Sequence, residues 1–97
     1  MRSNQNQKPD TAFSIDTPDY FHIDDELIAF STVKQAYFGI GGAARLVFEA
    51  LVEKGASATA REIEQIIGTQ HPLTREDVAL IQEAIDSLVE IGVLLEQ

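Results

Sequence analysis

Two adjacent glycines, Gly41 and Gly42, divide the chain into stretches of different periodicity, and that division limits the fold more than any other feature of the sequence. Before them stand three short runs, Tyr20-Phe21-His22-Ile23, Leu27-Ile28-Ala29-Phe30 and Ala36-Tyr37-Phe38-Gly39-Ile40. Each has the length and the aromatic and β-branched content of a strand. The breaks between them, Asp24-Asp25-Glu26 and Thr32 to Gln35, are short and polar, so consecutive runs are expected to pair as an antiparallel meander. After the glycines, apolar residues recur at helical spacing. Glycine adopts backbone conformations closed to other residues, so the pair ends the sheet and turns the chain into a helix.

The first helix is predicted over Ala43 to Glu53, with Leu46, Val47, Ala50 and Leu51 on one face and Gly55 as its stop. The second starts at Thr59, whose T-x-x-E spacing to Glu62 reads as a capping box, and buries Ile63, Ile66 and Ile67 before Gly68. The third starts at Thr74, with Asp77 in the box position, and runs to Ile91 before Gly92. The order is β-β-β-α-α-α. It predicts an α+β domain, a three-stranded antiparallel sheet followed by three helices that cover one sheet face, like a winged helix-turn-helix. In the third helix Val78, Ile81, Ile85, Leu88 and Val89 form a core stripe, which Leu80, Ala84 and Ile91 widen to about half the circumference. Either the first two helices wrap the extra flank or something outside the domain buries it.

With 97 residues, 44 % of them hydrophobic, the chain has one core and no room for a second domain. It holds no cysteine, which excludes disulfides, a thiol nucleophile and Cys-ligated metals, so the fold stands on apolar burial alone. Met1 to Asp19 is mostly polar, with Phe13 and Ile15 its only sizeable apolar side chains after Met1. It is expected to be a flexible tail, although Ala12 to Ile15 is able to pair weakly with a sheet. The folded domain is expected over residues 20–97. No apolar run approaches the ~20 residues of a membrane span, and no apolar signal segment opens the sequence, so a cytoplasmic protein is expected.

Charge removes further functions. Seven basic against sixteen acidic residues leave a net charge of −9, which repels nucleic acid and anionic lipid. The third helix, which would be the recognition helix of a DNA-binding winged helix, carries Arg75 against Glu76, Asp77, Glu83, Asp86 and Glu90, the wrong sign for phosphate contacts. No catalytic constellation is visible and no cofactor is expected. His22 and His71 lie far apart in sequence, and Asp24-Asp25-Glu26 reads as a charged turn before it reads as a cation site. Gly39-x-Gly41-Gly42 lacks the spacing of a phosphate loop. Asp86-Ser87-Leu88 matches the attachment tripeptide of acyl carrier proteins but lies inside a helical period instead of opening one.

The third strand remains. Gln35 to Ile40 contains no proline and no charge, whereas an edge strand is ordinarily defended by such residues. An open edge beside a spare helical flank suits an extended peptide, the reading favoured over an edge covered by the N-terminal tail or by a second copy of the chain. Asp77 stands where a carboxylate either caps its helix or meets a cationic ligand group.

The order of these elements resembles the PqqD-like proteins, or RiPP recognition elements, which serve ribosomally made, post-translationally modified peptides. The resemblance covers Tyr20 to Leu95 and rests on Asp24-Asp25-Glu26-Leu27-Ile28, Tyr37-Phe38-Gly39-Ile40, Ala44 with Val47-Phe48 and Leu51, Glu62-Ile63 to Ile67, and Asp77-Val78 through Leu88 to Gly92-Val93. Two positions depart from the family pattern: Gly41 stands for the usual Asn, and Phe48 for the usual Trp. The resemblance implies a non-catalytic module that binds the leader of a precursor peptide as an added strand on the third strand, in the groove against the third helix. Ala36 to Gly39 would then supply backbone bonds. Tyr37, Phe38, Leu80, Ile81 and Ala84 would line pockets, and Asp77 and Glu83 would select a cationic leader residue. The partner enzyme would be a lasso-peptide leader peptidase or, alternatively, a radical-SAM enzyme of the pyrroloquinoline quinone type; outside this resemblance the alternative is a winged-helix regulatory protein that acts through protein contacts. The module itself is expected as a monomer or weak dimer.

Overall fold

A computed structural model describes residues 11–97 as an α+β domain. The elements are β1 (Ala12–Ile15), β2 (Tyr20–Ile23), β3 (Glu26–Ser31), β4 (Ala36–Ile40), α1 (Gly42–Lys54), β5 (Ala58–Thr59), α2 (Ala60–Gly68), α3 (Arg75–Glu90) and β6 (Leu94–Glu96). The three predicted strands form one antiparallel sheet in the order β2-β3-β4. Asp24 closes the first hairpin at φ +56°, a left-handed conformation that aspartate tolerates. Gly42 opens α1 at φ +59°, and Gly55 ends it at φ +76° with its N–H on the Leu51 carbonyl. Both capping boxes form: Thr59 with Glu62 on α2, and Thr74 with Asp77 on α3.

A second three-stranded sheet, β5-β1-β6, corrects two expectations. The chain has more strands than the single meander, and the segment expected to be a tail up to Asp19 is structured from Ala12 onward. Its strand β1 is central, paired with β5 on one side and β6 on the other. Bonds from Asp16 N to Val93 O and from Gln97 N to Ala12 O, both 2.8 Å, extend the ladder to β6. The polar composition concealed a period-two pair, Phe13 and Ile15. Phe13 is fully buried in the core, and Ile15 packs against it. The first ten residues of the expected tail lie outside the described residues.

Alternation along the β2-β3-β4 sheet sorts its side chains into two faces. Leu27, Ala29 and Ile40 are buried in the common core with Val47, Phe48 and Leu51 of α1 and Ile81, Ile85 and Leu88 of α3. Tyr20 lies on this inner face, edge-on to Phe48 with ring centroids 4.9 Å apart. The outer face carries Phe21, Ile28, Phe30 and Tyr37.

Candidate functional site

Among the described residues the expected edge strand is an edge, since β4 ends its sheet with β3 as its neighbour. Its hydrogen-bond directions follow from the ladder on the far side of β3. Phe30 N donates to Asp19 O at 3.0 Å, so the polar groups of Phe30 and Ile28 face β2 and those of Ser31, Ala29 and Leu27 face β4. Their register partners Ala36, Phe38 and Ile40 therefore point inward to β3. The backbone groups of Tyr37 and Gly39 point outward. The span Ala36 to Gly39, expected to supply backbone bonds as a whole, thus offers an added strand only the N–H and C=O of these two residues.

The same alternation separates Tyr37 from Phe38. Phe38 is half-buried and packs against the core, on the side of the helices. Tyr37 lies on the opposite face, 54 % exposed. Its ring meets Phe30 and Phe21 edge-on at centroid distances of 4.9 and 5.8 Å. Its hydroxyl donates to Asp19 Oδ2 at 3.1 Å. This hydrogen bond, with some desolvation and the Asp19 charge, raises the phenol pKa above the ordinary tyrosine value. Tyr37 and Phe38 cannot line one pocket, which corrects the expectation that grouped them.

Helix α3 presents three different surfaces. Ile81 is 2 % exposed and belongs to the core, so it offers no surface to a ligand, and Ala84 is nearly as buried. Gln82 Nε2 reaches Glu64 Oε2 of α2 at 3.4 Å, which assigns that flank to α2. The other flank is open at Leu80, which is 52 % exposed, while Ala84 on the same flank is buried. The first two helices therefore do not wrap α3 completely. Glu83 is exposed beyond Leu80. Asp77 is committed to capping: Oδ2 accepts from Thr74 N at 3.0 Å, and its own N–H donates to Thr74 Oγ1 at 3.1 Å.

One residue absent from the sequence-based site ties hairpin to helix. Ser31 is buried, its hydroxyl donates to the Ile91 carbonyl at the end of α3, and it accepts from Lys34 N at 2.9 Å. Nearby, Gly92 takes φ +81°, and a Cβ there would stand 2.4 Å from Val33 Cγ2. The β3-β4 turn thus closes against the C-terminal end of α3. Nothing local in the sequence distinguishes Ser31 from a solvated turn serine; the alternation Leu27, Ala29, Ser31 on the buried face is the signal that points to it.

The remaining sequence candidates are dispersed. His22 Nε2 stands 4.0 Å from Glu49 Oε2, while His71 borders a hollow between α1 and α2. Among the described residues no group of three His, Cys, Asp or Glu side chains is placed to hold a metal ion, and no helix is long and apolar enough to cross a membrane. Ser87 lies within α3. No family model, curated protein or solved structure matches the chain.

Proposed function

We propose that this chain is a non-catalytic peptide-binding module of the RiPP recognition type. An extended leader peptide adds antiparallel to β4, and its inward side chains lie between Phe38 and Leu80 of α3. The observation that carries this reading is the edge itself: Tyr37 and Gly39 direct their backbone groups outward from a strand with no charge and no proline. The family pattern in the sequence is the second support. Glu83 and the acidic surface around it favour a leader with basic residues. The bound precursor is presented in the cytoplasm to a maturation enzyme, of which a lasso-peptide leader peptidase fits the Tyr37-Phe38-Gly39-Ile40 run best and a radical-SAM enzyme next. The net charge of −9 opposes stable self-association at this edge.

The test is a titration of the labelled chain with a synthetic leader from the short precursor reading frame nearest its gene, followed by amide NMR. Saturable binding with new exchange protection at the Tyr37 and Gly39 amides is expected, and Leu80→Glu weakens it without unfolding the domain. Saturable binding that leaves both amides unprotected overturns strand addition.

A further inference from the structure

The outer face of β4 has a gap. Gly39 and Gly41 stand two residues apart, and an ideal Cβ at either position meets no atom within 4 Å. At the α1 end of this gap, and not over its outer face, a hollow of about 250 Å³ is lined by the charged Asp25, Glu26 and Arg45 with Gly39, Ile40 and Gly41. Arg45 does not reach across it freely, because its Nε is held by Glu49 Oε2 at 2.9 Å and its guanidinium also donates to the Asp25 carbonyl. On the sheet, the gap is bordered by Ile28, the register partner of Gly39, and by Tyr37, two residues back on the same face. Tyr37 already takes part in an edge-on cluster with Phe21 and Phe30.

We infer that this bare glycine strip is a second specificity site, which takes an aromatic side chain from the outer face of a peptide strand added to β4. The inference rests on the strand-addition reading above and goes further by naming the residue class read on the face away from α3. Neighbouring strands lie about 4.8 Å apart, so the backbone of an added strand stands roughly 10 Å from β3. Were Gly39 to carry a side chain, that side chain would fill the interval. With none, a small residue on the peptide leaves Ile28 and the glycine backbone exposed to water. A Phe, Tyr or Trp opposite Gly39 is long enough to cover the strip, touch Ile28 and meet the Tyr37 ring at its edge, the arrangement aromatic pairs favour. Aromatic cover over a strand glycine is a recognised source of sheet stability. Because outward-facing and helix-facing side chains alternate, the same peptide would present its aromatic residue next to, and not among, those entering the α3 side.

Phage-displayed random dodecapeptides, panned on the full chain and on Gly39→Val and Gly39→Pro variants, test this. The wild type is expected to enrich peptides with Phe, Tyr or Trp at one position, and a synthetic copy with Ala there binds about tenfold more weakly. In Gly39→Val the strip is filled, so the Ala and aromatic peptides differ by no more than about twofold. Gly39→Thr is expected to behave the same and serves if the valine variant does not fold. Gly39→Pro removes an outward donor and binds neither peptide, a loss reproduced without altering the protein by N-methylating alternate peptide nitrogens. An aromatic advantage that persists in Gly39→Val, a basic residue at the enriched position, or no preference there overturns the glycine-strip site. Unweakened binding to Gly39→Pro and of N-methylated peptides overturns strand addition itself, as does a library that yields no binder.

Discussion

Replacing Ser31 by alanine removes one hydroxyl that joins the β3-β4 turn to the end of α3. The side chain is 0 % exposed and makes two bonds, to the Ile91 carbonyl and from Lys34 N at 2.9 Å. Lys34 is exposed, so water replaces most of what its amide loses. The Ile91 carbonyl lies past the end of α3, where backbone acceptors lack intrahelical donors. Losing that buried donor dominates the cost, and together the two bonds put the loss at about 2 kcal/mol. For a domain of this size that lowers the melting temperature by roughly 10 °C. With an m-value of about 1.3 kcal/mol/M in urea, the midpoint falls by roughly 1.5 M and the slope stays unchanged. Urea denaturation followed by circular dichroism measures both, with Thr32→Ala, an exposed neighbour, as the reference. A loss below about 0.5 kcal/mol, or one matched by Thr32→Ala, refutes the buried tether.

Three further outcomes follow from the same contacts. Phe13→Ala should cost about 3–5 kcal/mol in chemical denaturation, a large part of the stability of a small domain, because Phe13 is fully buried under a central strand; a loss under about 1 kcal/mol would show that β1 is not part of the fold. Gly92→Ala should cost about 2–4 kcal/mol, since it combines a left-handed φ of +81° with a Cβ that meets both Val33 Cγ2 and, at 2.9 Å, Val33 Cβ, and Val33→Ala in the same chain should return only the part of the steric cost due to the Val33 methyls, not the Cβ contact or the backbone part. Glu62 has its pKa lowered by the Thr59 backbone bond and then by Lys54. Its contribution is therefore complete above the ordinary glutamate value and is lost as pH falls through the lowered one. The stability difference between wild type and Glu62→Ala should be constant above about pH 5 and shrink below about pH 4, and a difference that widens on acidification contradicts the assigned bonds.

The edge strand was legible because two local facts suffice: three adjacent β-type runs pair in order, and Gln35 to Ile40 lacks charge. The side on which each residue acts was not. Tyr37 and Phe38 look alike in sequence, yet the pleat sends one to an exposed aromatic face and the other toward the core. Sequence spacing likewise placed Ile81 beside Leu80 on α3, whereas burial separates a core residue from an exposed one. The apolar residues at consecutive positions, Leu27-Ile28-Ala29-Phe30, carried a signal of two apolar faces that a one-sided sheet does not need.

By itself the sequence determined what depends on neighbours along the chain. The helix starts at Thr59 and Thr74, the turn glycines and the meander all follow from residues within a few positions of one another. Tertiary structure alone decided the second sheet, because β1 finds its partner strand at the other end of the chain; Ser14 and Gln97, hydrogen-bonded at 3.1 Å, are 83 residues apart. A short polar-looking segment becomes a central strand only when Leu94 to Glu96 lies beside it and Phe13 has a core to enter. The tether between Ser31 and Ile91, 60 residues apart, has the same origin. Local periodicity sets which residues alternate, and only long-range packing sets which of the two faces meets protein and which meets water.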